Sequence, residues 1–199
     1  MISIIDYKAG NLASVSNALE RMGVNFQVTY DTTKLDNSDA IIFPGVGHAQ
    51  SAMHALDERN LIDWLKTTKK PVLGICLGMQ LLYESSEEGN TEGLGIIHGR
   101  LRKFDDKAVK VPHLGWNDFA ELSDHPITAG LGTHSMMYYV HSYYAPVNES
   151  TLAYCHYEIP FASVVAKDNF WGVQFHPEKS GHNGEILLKN YIELIQKLK

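Results

Sequence analysis

The sequence predicts an α/β fold: an open, mainly parallel sheet with helices on both faces and an antiparallel extension. Short apolar segments alternate with segments of helical periodicity through the first half of the chain, which is typical of a parallel sheet. Segments with strand character follow one another in the second half, which is typical of antiparallel pairing. No linker rich in proline and glycine and no internal repeat interrupts the sequence, so we expect one domain over residues 1–199.

The first half is predicted to hold four strands and two helical regions. Apolar residues in 12–22 recur at spacings of three and four and are followed by Gly23, which predicts a helix that ends there. The segment 40–43 is apolar throughout, which favours a central position in a parallel sheet. The predicted strands are residues 2–7, 26–30, 40–43 and 72–75, and the second helical region is 48–69.

The second half is predicted to hold six strands and a closing helix. Residues 184–199 place Leu187, Tyr191, Leu194 and Leu198 on one helical stripe. Residues 79–83, just before this half, are predicted to be helical, and the acidic run 84–89 is predicted to be the solvated end of that helix. The predicted strands are residues 96–104, 108–111, 136–144, 151–157, 163–167 and 170–175.

Composition excludes several classes of function. The net charge is −6 and no basic cluster occurs, so we expect neither nucleic acid nor an anionic membrane surface as a partner. The apolar runs are too short to span a bilayer, and the N-terminal segment reads as a first strand and not as a signal peptide. Only two cysteines occur, Cys76 and Cys155, which fits a reducing cytoplasm better than a disulfide-bonded chain.

Cys76 is the first candidate for catalysis. It stands in Gly-Ile-Cys-Leu-Gly, residues 74–78, between an apolar strand and a predicted helix. Flanking glycines let the strained turn of a nucleophile elbow hold a reactive side chain clear of its neighbours. At a helix start, the dipole and the free N–H groups favour thiolate over thiol. The alternative is a buried structural cysteine.

His176 and Glu178 supply the base and the group that orients it. Pro177 ends the preceding strand, so the Glu178 carboxylate can reach the ring nitrogen of His176 that faces away from the thiol. A histidine at the end of an apolar strand could instead be a satisfied core residue. Together with the elbow, the pair predicts a Cys/His/Glu hydrolytic site.

The glycine-rich loop 44–47 follows the predicted central strand. Gly45 and Gly47 flank Val46 there, and glycines let the backbone turn an N–H group toward a site. We interpret the N–H groups of Val46 and Leu77 as the two donors of an oxyanion hole. Both loops would leave the carboxyl ends of parallel strands, where ligands bind in open sheets. An ordinary tight turn is the alternative.

Further polar residues are candidates for binding a small polar substrate. Gln80 lies one helical turn after Cys76 and so on the same face, although it could be an ordinary surface residue. His141, Ser142 and Tyr143 end a predicted strand with three polar groups in a row, or are simply sheet-edge residues. The ten histidines show no recognised metal-ligand spacing, so we expect no metal and no cofactor.

Three motifs together resemble the class I glutamine amidotransferases: Pro-Gly-Val-Gly at 44–47, Gly-Ile-Cys-Leu-Gly-Met-Gln at 74–80, and His-Pro-Glu at 176–178. In this order they are highly specific, and the resemblance extends over nearly the whole chain. Further segments are similar to the glutaminase subunits of imidazole glycerol phosphate synthases, namely residues 6–11, 81–89, 112–117 and 140–143. One departure is Lys8, which stands where that family usually has glycine.

The resemblance implies a function and a partner. The implied reaction is hydrolysis of glutamine through a thioester on Cys76, and the ammonia would pass to a (β/α)₈-barrel synthase in a heterodimer. That synthase would convert PRFAR to imidazole glycerol phosphate and AICAR in histidine biosynthesis. The implied partner-facing residues are Asn11, Trp116, Asn117 and Lys179, with Trp116 either a stacking anchor or a core residue.

Other functions remain open at this point. A stand-alone cysteine hydrolase on a similar sheet would need no partner, although Gln80 and the His-Pro-Glu order argue against it. A binding subunit without catalysis is disfavoured by the intact Cys76, His176 and Glu178. A glutaminase of the same type could also serve a paralogous pathway, such as amidation of a surface sugar, because the partner selects the acceptor.

Overall fold

The chain forms fourteen strands and six helices in a computed structural model that describes residues 1–8 and 10–197. The strands are β1 (Ile2–Ile5), β2 (Phe26–Thr29), β3 (Ala40–Gly45), β4 (Val72–Cys76), β5 (Tyr83–Ser86), β6 (Thr91–Glu92), β7 (Ile97–Lys103), β8 (His113–Asn117), β9 (Glu121–Leu122), β10 (Met137–His141), β11 (Tyr143–Tyr144), β12 (Thr151–Tyr157), β13 (Ile159–Lys167) and β14 (Phe170–Val173). The helices are α1 (Leu12–Arg21), α2 (Thr32–Asp36), α3 (Ala49–Glu58), α4 (Leu61–Thr67), α5 (Leu77–Gln80) and α6 (Gly181–Lys197). Single turns of 3₁₀ helix occupy Glu88–Asn90, Pro126–Thr128 and Pro177–Lys179.

One eight-stranded sheet carries the fold, in the order β2-β1-β3-β4-β14-β13-β12-β9. The five strands from β2 to β14 are parallel, and β13, β12 and β9 add an antiparallel extension. This is the mixed α/β architecture that the sequence predicts. The apolar strand β3 lies inside the parallel part, between β1 and β4, as expected.

Both faces of the sheet are covered by helices. Ile42 of β3 belongs to a core that also contains residues of α1 and α6. Its neighbours Ile41 and Phe43 point to the other face, where they join a second core with residues of α3 and α4. Successive strand residues alternate between faces, so an entirely apolar strand serves both cores at once.

Two smaller sheets stand beside the main one. Strands β8 and β10 form an antiparallel ribbon, in which His113 lies opposite His141 and Trp116 lies opposite Tyr138. Strands β11, β7, β5 and β6 form a four-stranded sheet. The ribbon matters for function because its two faces differ: one is buried against the core and the other is exposed.

The helical region predicted over residues 48–69 contains two helices, α3 and α4, separated at Asn60, whose left-handed φ of 55° is tolerated by asparagine. Two predictions for the segment that follows Cys76 are wrong. Residues 79–83 are not one helix, because α5 ends at Gln80 and Tyr83 opens β5. A buried apolar run reads alike as strand or helix, which explains the error. The acidic run 84–89 is accordingly part of β5 and of a 3₁₀ turn, not a helix end.

The strand predicted over residues 108–111 is a turn in the structure. The N–H groups of Ala108 and Val109 both donate to the carbonyl oxygen of Asp105, at 3.0 Å each. Val109 and Val111 are apolar because they pack against the core, not because they pair in a sheet.

The remaining predictions agree to within a few residues. The predicted strand 136–144 is divided into β10 and β11, and the strand predicted over 163–167 begins earlier, at Ile159. The closing helix is α6, with Leu187 and Tyr191 buried as predicted, whereas Leu198 lies outside the described residues. In the described part of the chain, no helix has both the length and the apolar character needed to cross a membrane.

Candidate active site

Cys76 occupies a strained turn between β4 and α5. Its φ of 53° and ψ of −109° lie where residues other than glycine rarely occur. The turn packs directly on β3, because a Cβ on Gly78 would lie 1.9 Å from the carbonyl oxygen of Phe43. A Cβ on Gly45 would lie 2.7 Å from the backbone nitrogen of Gly78. The glycines are therefore required by close approach, and the geometry is that of the predicted elbow.

The helix that follows Cys76 is much shorter than the sequence suggests. α5 contains four residues, a single turn. A single turn has little of the macrodipole that a longer helix would direct at the sulfur. The helix dipole that the sequence predicts at Cys76 is therefore weak.

His176 and Glu178 form a buried pair. Nδ1 of His176 lies 2.9 Å from Oε1 of Glu178, and both side chains are 1% exposed. Burial lowers the pKa of His176, but the neighbouring Cys76 sulfur and the Glu178 carboxylate raise the pKa by more, so the charged imidazolium is favoured. Nε2 of His176 has no hydrogen-bond partner among the described residues. That nitrogen is thus available to a reacting group.

Cys76 and His176 line the same pocket, of about 280 Å³. This volume lies near the lower limit of roughly 300–1,000 Å³ typical of small-molecule sites, which suits a ligand as small as an amino acid. Of the residues predicted for the site, the lining contains Val46, Gly47, Cys76, Leu77, Gln80, His141, Ser142, Tyr143 and His176. Gly45 and Glu178 stand behind the lining, the first under the elbow and the second behind the histidine ring.

Three lining residues were not predicted from the sequence: Glu88, Pro112 and Val140. Glu88 was placed on a solvated helix end, but its Oε2 accepts a hydrogen bond of 2.7 Å from the backbone N–H of Ala49. This bond joins the 3₁₀ turn after β5 to the start of α3. The acidic run 84–89 contains Glu88, but the incorrect prediction of a helix there led us to expect this side chain in solvent.

Gln174 is a further missed residue, and it connects Cys76 to Gln80. Its Nε2 donates toward the sulfur of Cys76 at 3.8 Å, and its Oε1 accepts a hydrogen bond of 2.9 Å from Nε2 of Gln80. The Gln174 side chain is fully buried. A glutamine inside an apolar strand end is the signal that could have identified it, because a buried amide needs partners.

His141 lines the pocket but does not offer it a free ring nitrogen. Nδ1 lies 2.8 Å from the carbonyl oxygen of Tyr143, and Nε2 lies 3.0 Å from Nδ1 of His113. Both nitrogens are therefore occupied by protein groups. The sequence prediction that His141 donates to or accepts from a substrate is not supported by these contacts.

The loop that was predicted to form the oxyanion hole leaves the end of β3. Val46 is among the more exposed apolar residues, and Gly47 has a φ of 101°, which only glycine adopts freely. The hydroxyl of Tyr7 anchors the start of this loop by donating to the carbonyl oxygen of Pro44 at 2.8 Å. The loop is thus fixed at one end and able to turn at the other.

The predicted partner-facing residues are all at the surface to some degree. Trp116 is 53% exposed, and its ring centroid lies 5.8 Å from that of Tyr138, so the core alternative for Trp116 is wrong. Lys179 is exposed directly after Glu178, and Asn117 is half-buried. Asn11 precedes α1 without a side-chain capping hydrogen bond in the described part of the chain, and residue 9 of its loop lies outside that part.

No group of three His, Cys, Asp or Glu side chains within residues 1–8 and 10–197 is arranged to hold a metal ion. The pocket instead brings together Cys76 and His176, and Glu178 contacts the His176 ring from behind the lining. This arrangement can perform nucleophilic attack by a thiolate with acid–base assistance from an imidazole.

Comparison with known proteins agrees with this chemistry. The family model described as glutamine amidotransferase class-I matches residues 3–194. The chain belongs to the class I glutamine amidotransferases. This amidotransferase is 45% identical over 194 residues to the imidazole glycerol phosphate synthase subunit HisH of Haemophilus influenzae, with 98% of each chain covered. It is 46% identical over 195 residues to the subunit of the same name from Bacteroides fragilis, with 97% of this chain and 99% of that one covered.

Solved structures show the same fold. The amidotransferase superposes on a crystal structure of a glutamine amidotransferase with a TM-score of 0.76 at 17% identity, covering 98% of each chain. A glutamine amidotransferase from Thermotoga maritima matches with a TM-score of 0.63 at 16% identity, covering 99% of this chain and 84% of that one. At these identities the likeness concerns the fold alone.

Proposed function

We propose that this chain is the glutaminase subunit of imidazole glycerol phosphate synthase and that it supplies ammonia for histidine biosynthesis. The observation that carries the proposal is near-full-length similarity, at 45–46% identity, to subunits of that synthase from Haemophilus influenzae and Bacteroides fragilis. The pocket supports it independently, because a strained cysteine and a buried histidine–glutamate pair meet in a space that suits an amino acid.

The reaction begins with attack of the Cys76 thiolate on the side-chain amide carbon of glutamine. The carbonyl oxygen becomes an oxyanion, for which the N–H groups of Val46 and Leu77 are the proposed donors. Collapse of this tetrahedral species breaks the carbon–nitrogen bond, and His176 gives its proton to the leaving ammonia. Nε2 of His176, which has no partner among the described residues, is the atom positioned for that transfer.

Hydrolysis of the thioester completes the cycle. His176, now neutral, takes a proton from water as the water attacks the glutamyl thioester, and glutamate leaves while Cys76 is regenerated. Glu178 holds Nδ1 of His176 at 2.9 Å throughout and stabilises the imidazolium each time it forms. Side chains and backbone N–H groups of the chain, with water as the second nucleophile, account for every step, so the proposal includes no cofactor.

The pocket wall also suits the other end of glutamine. A free amino acid carries an ammonium group, and Glu88 places a carboxylate in the lining. Oε2 of Glu88 accepts from the Ala49 N–H, which fixes the carboxyl group. We assign Glu88 to the substrate ammonium, and Ser142, Tyr143 and Gln80, which donates to the Tyr143 carbonyl oxygen, to further contacts with the substrate.

A barrel-shaped synthase subunit is the proposed partner, and a heterodimer in the cytoplasm is the proposed assembly. Free ammonia would be protonated and lost in bulk water, so a docked acceptor is expected. The exposed face of the β8–β10 ribbon carries Leu114 and Trp116, and Met136 directly precedes β10; all three are substantially exposed apolar side chains. A patch of this kind next to an active site marks an interaction surface.

The alternatives are weaker. A stand-alone hydrolase would not be expected to resemble synthase subunits over 97–98% of its length. A subunit without catalysis would not retain the buried ion pair beside a strained cysteine. A paralogous amidation pathway would use the same glutaminase chemistry, and only the acceptor reaction separates it from histidine biosynthesis.

The test is a reconstitution with the barrel synthase subunit from the same source. Wild-type chain plus synthase should form imidazole glycerol phosphate from PRFAR and glutamine, while the Cys76→Ser complex should do so only when ammonium salt replaces glutamine. A complex that hydrolyses glutamine but never turns over PRFAR, even with ammonium salt, would point to the paralogous pathway. Loss of the ammonium-dependent reaction in an intact Cys76→Ser complex would show that ammonia supply is not the whole role.

A further inference from the structure

Two buried imidazoles that the reaction does not use lie beside the pocket: His141 is part of its lining and His113 lies behind His141. His113 of β8 and His141 of β10 face each other across the ribbon and are 4% and 5% exposed. Nδ1 of His113 lies 3.0 Å from Nε2 of His141, a hydrogen-bond distance. Aromatic rings enclose the pair: His113 stacks on Tyr157 at 4.0 Å and on Tyr139 at 5.1 Å between ring centroids.

The partners of the pair fix which nitrogen carries each proton. A carbonyl oxygen can only accept, so the 2.8 Å contact between Nδ1 of His141 and the Tyr143 oxygen requires a proton on that Nδ1. In neutral His141, Nε2 is then an acceptor. Nδ1 of His113 must therefore carry the proton between the two rings, which leaves Nε2 of His113 as an acceptor.

The surroundings supply a donor for that last nitrogen and favour neutral rings. Nδ2 of Asn117 lies 3.5 Å from Nε2 of His113, and it also donates to the carbonyl oxygen of His156 at 2.9 Å. Burial lowers the pKa of His113 to about 4 and that of His141 to about 3. These groups thus form a line of hydrogen bonds that leads from Asn117 through His113 and His141 to the Tyr143 carbonyl oxygen. Each donor in this line lies on the Asn117 side of its acceptor.

The line ends on an atom that belongs to the pocket wall. The Tyr143 carbonyl oxygen accepts a second hydrogen bond, of 2.9 Å, from Nε2 of Gln80. Gln80 in turn donates to Gln174, whose amide nitrogen faces the sulfur of Cys76. The position of the Tyr143 carbonyl therefore affects both the wall that receives the substrate and the amide next to the nucleophile.

We propose that His113 is a positioning residue for glutamine: it fixes the Nδ1–H tautomer of His141, which holds the Tyr143 carbonyl and with it the pocket wall at Ser142–Tyr143 and Gln80. The inference rests on the proposed function, because it takes glutamine as the ligand of this pocket. His113 itself does not line the pocket and touches no reacting atom.

Removing the donor on His113 has a defined consequence. Nε2 of His141 would become a buried acceptor without a partner, which is unfavourable. His141 can relieve this by moving its proton to Nε2, but its bare Nδ1 then faces the Tyr143 oxygen, acceptor against acceptor. The Tyr143 carbonyl would keep only the hydrogen bond from Gln80, and the wall would loosen.

Three single variants, each assembled with the synthase partner, test the kinetic consequence. His113→Phe keeps the ring stacking and loses the donor, and we expect about a tenfold increase in KM for glutamine with kcat changed less than about threefold. His113→Asn places an amide N–H near the former Nδ1 and should restore KM to within about threefold of wild type. His156→Phe removes a histidine ring from an exposed position on β12 and should leave both constants unchanged.

A measurement on the wild-type chain tests the proposed tautomers of His113 and His141 directly. It requires neither a variant nor an activity assay. Two-bond ¹H–¹⁵N correlation spectra of the histidine-labelled full chain should show Nδ1–H and a bare Nε2 for both His113 and His141 at pH 7. A proton on Nε2 of His141 would overturn the proposal, and so would a folded His113→Phe variant with the wild-type KM. A wild-type complex that hydrolyses no glutamine would refute the proposed function instead, and the tautomer result would still decide the geometry.

Discussion

At the residue scale, the two cysteines are both buried but differ in their surroundings. Cys76 lines the pocket, with the amide nitrogen of Gln174 at 3.8 Å from its sulfur. The sulfur of Cys155 lies 3.0 Å from the Tyr139 hydroxyl in the core, and burial raises the pKa of Cys155 to about 11. The thiolate is the reactive form of cysteine, so only one of the two is suited to be a nucleophile.

A glutamine-derived electrophile should therefore label Cys76 and spare Cys155, as read by peptide mass spectrometry. Cys76→Ser should lower glutamine hydrolysis by at least about a thousandfold, the scale on which hydrolases lose activity with their nucleophile. Its circular dichroism spectrum and melting curve should match wild type. Equal labelling of both cysteines would contradict the assignment, as would substantial hydrolysis by the serine variant.

The electrostatic effect of Glu178 on His176 can be distinguished from a purely structural role by the pH dependence of the rate. Glu178→Gln keeps the size of the side chain but removes the charge that helps to raise the pKa of His176. We expect kcat to fall roughly 10²- to 10⁴-fold, as when an orienting carboxylate is lost from a catalytic triad. Because the imidazolium then loses its proton at lower pH, the alkaline limb of the rate profile should move to lower pH. An unmoved alkaline limb with a reduced kcat would mean that Glu178 only supports the fold.

The limits of sequence reasoning at this scale follow from the distance between partners. Cys76, His176 and Glu178 were predictable because each stands in a local motif: glycines beside Cys76 allow a strained turn, and Pro177, between His176 and Glu178, ends the strand. His141 was predicted as a substrate contact and not as half of a pair. Its partner His113 is 28 residues away, and only the register of β8 against β10 brings the two rings together.

At the scale of elements, the elbow depends on how closely α5 approaches β3. A Cβ on Gly78 would lie 1.9 Å from the Phe43 carbonyl oxygen, a backbone atom that cannot move aside without displacing the strand. We expect Gly78→Ala to lower the free energy of unfolding by about 3 kcal/mol, the upper part of the range for overpacking. Denaturant unfolding measures it. Gly132→Ala is the matched control, because a Cβ there meets nothing within 4 Å; equal stability of the two variants would contradict the packing argument.

The buried pair on the β8–β10 ribbon makes the fold sensitive to acid. The lowered pKa values of His113 and His141, about 4 and about 3, mean that the unfolded chain binds protons below about pH 6.5 while the folded chain does not. The free energy of unfolding should therefore fall as pH falls from 6.5 toward 4. The raised pKa of His176 has the opposite sign: its contribution is fully present below pH 6.5 and is lost only as pH rises through its folded pKa.

The double variant His113→Phe/His141→Phe should flatten this acid dependence. Each ring removed takes away up to about 1.4 kcal/mol per pH unit of slope between pH 6 and 4. Urea unfolding at several pH values gives the slope, with His156→Phe as the control that should keep it. A double variant with the wild-type slope would show that the acid sensitivity arises elsewhere.

The burial pattern of the same ribbon explains why strand β8 was not predicted from the sequence. In β8 the buried position is the polar His113, while Leu114 and Trp116 are more than half exposed. This inverts the usual pattern of apolar residues inside and polar residues outside. In contrast, β3 and β4 are apolar throughout and were predicted to within two residues, because burial on both faces leaves a plain signal.

At the scale of the whole molecule, the exposed face of the ribbon and the pocket are adjacent. Val140 lines the pocket and pairs with Leu114, one of the exposed apolar residues. The carbonyl oxygen of Val140 lies 3.8 Å from the sulfur of Cys76. A partner seated on Leu114, Trp116 and Met136 would thus lie within one strand of the nucleophile, which gives docking a short route to the site.

We expect the isolated chain to be nearly inactive and the proposed synthase partner to activate it. Val46 is exposed and stands between Gly45 and Gly47, and Gly47 has a φ of 101°, so the peptide that carries the Val46 N–H can rotate at small cost. Lack of one oxyanion donor costs roughly 3–4 kcal/mol, or about 100- to 1,000-fold in rate. Docking near this loop can select the orientation that donates, and bound acceptor substrate can select it further.

Glutamate release should therefore be measured for the purified chain, for the chain with the proposed synthase partner, and for that complex with acceptor ligand. The rate should rise at each step, by at least about 100-fold in total if a single donor is gained. Cys76→Ser, assembled with the same partner, sets the background of each measurement. Because a rotating donor acts on the oxyanion and not on glutamine in its ground state, the rise should appear in kcat more than in KM. Full turnover by the isolated chain would refute the switch and would restore the stand-alone hydrolase as the better reading of this site.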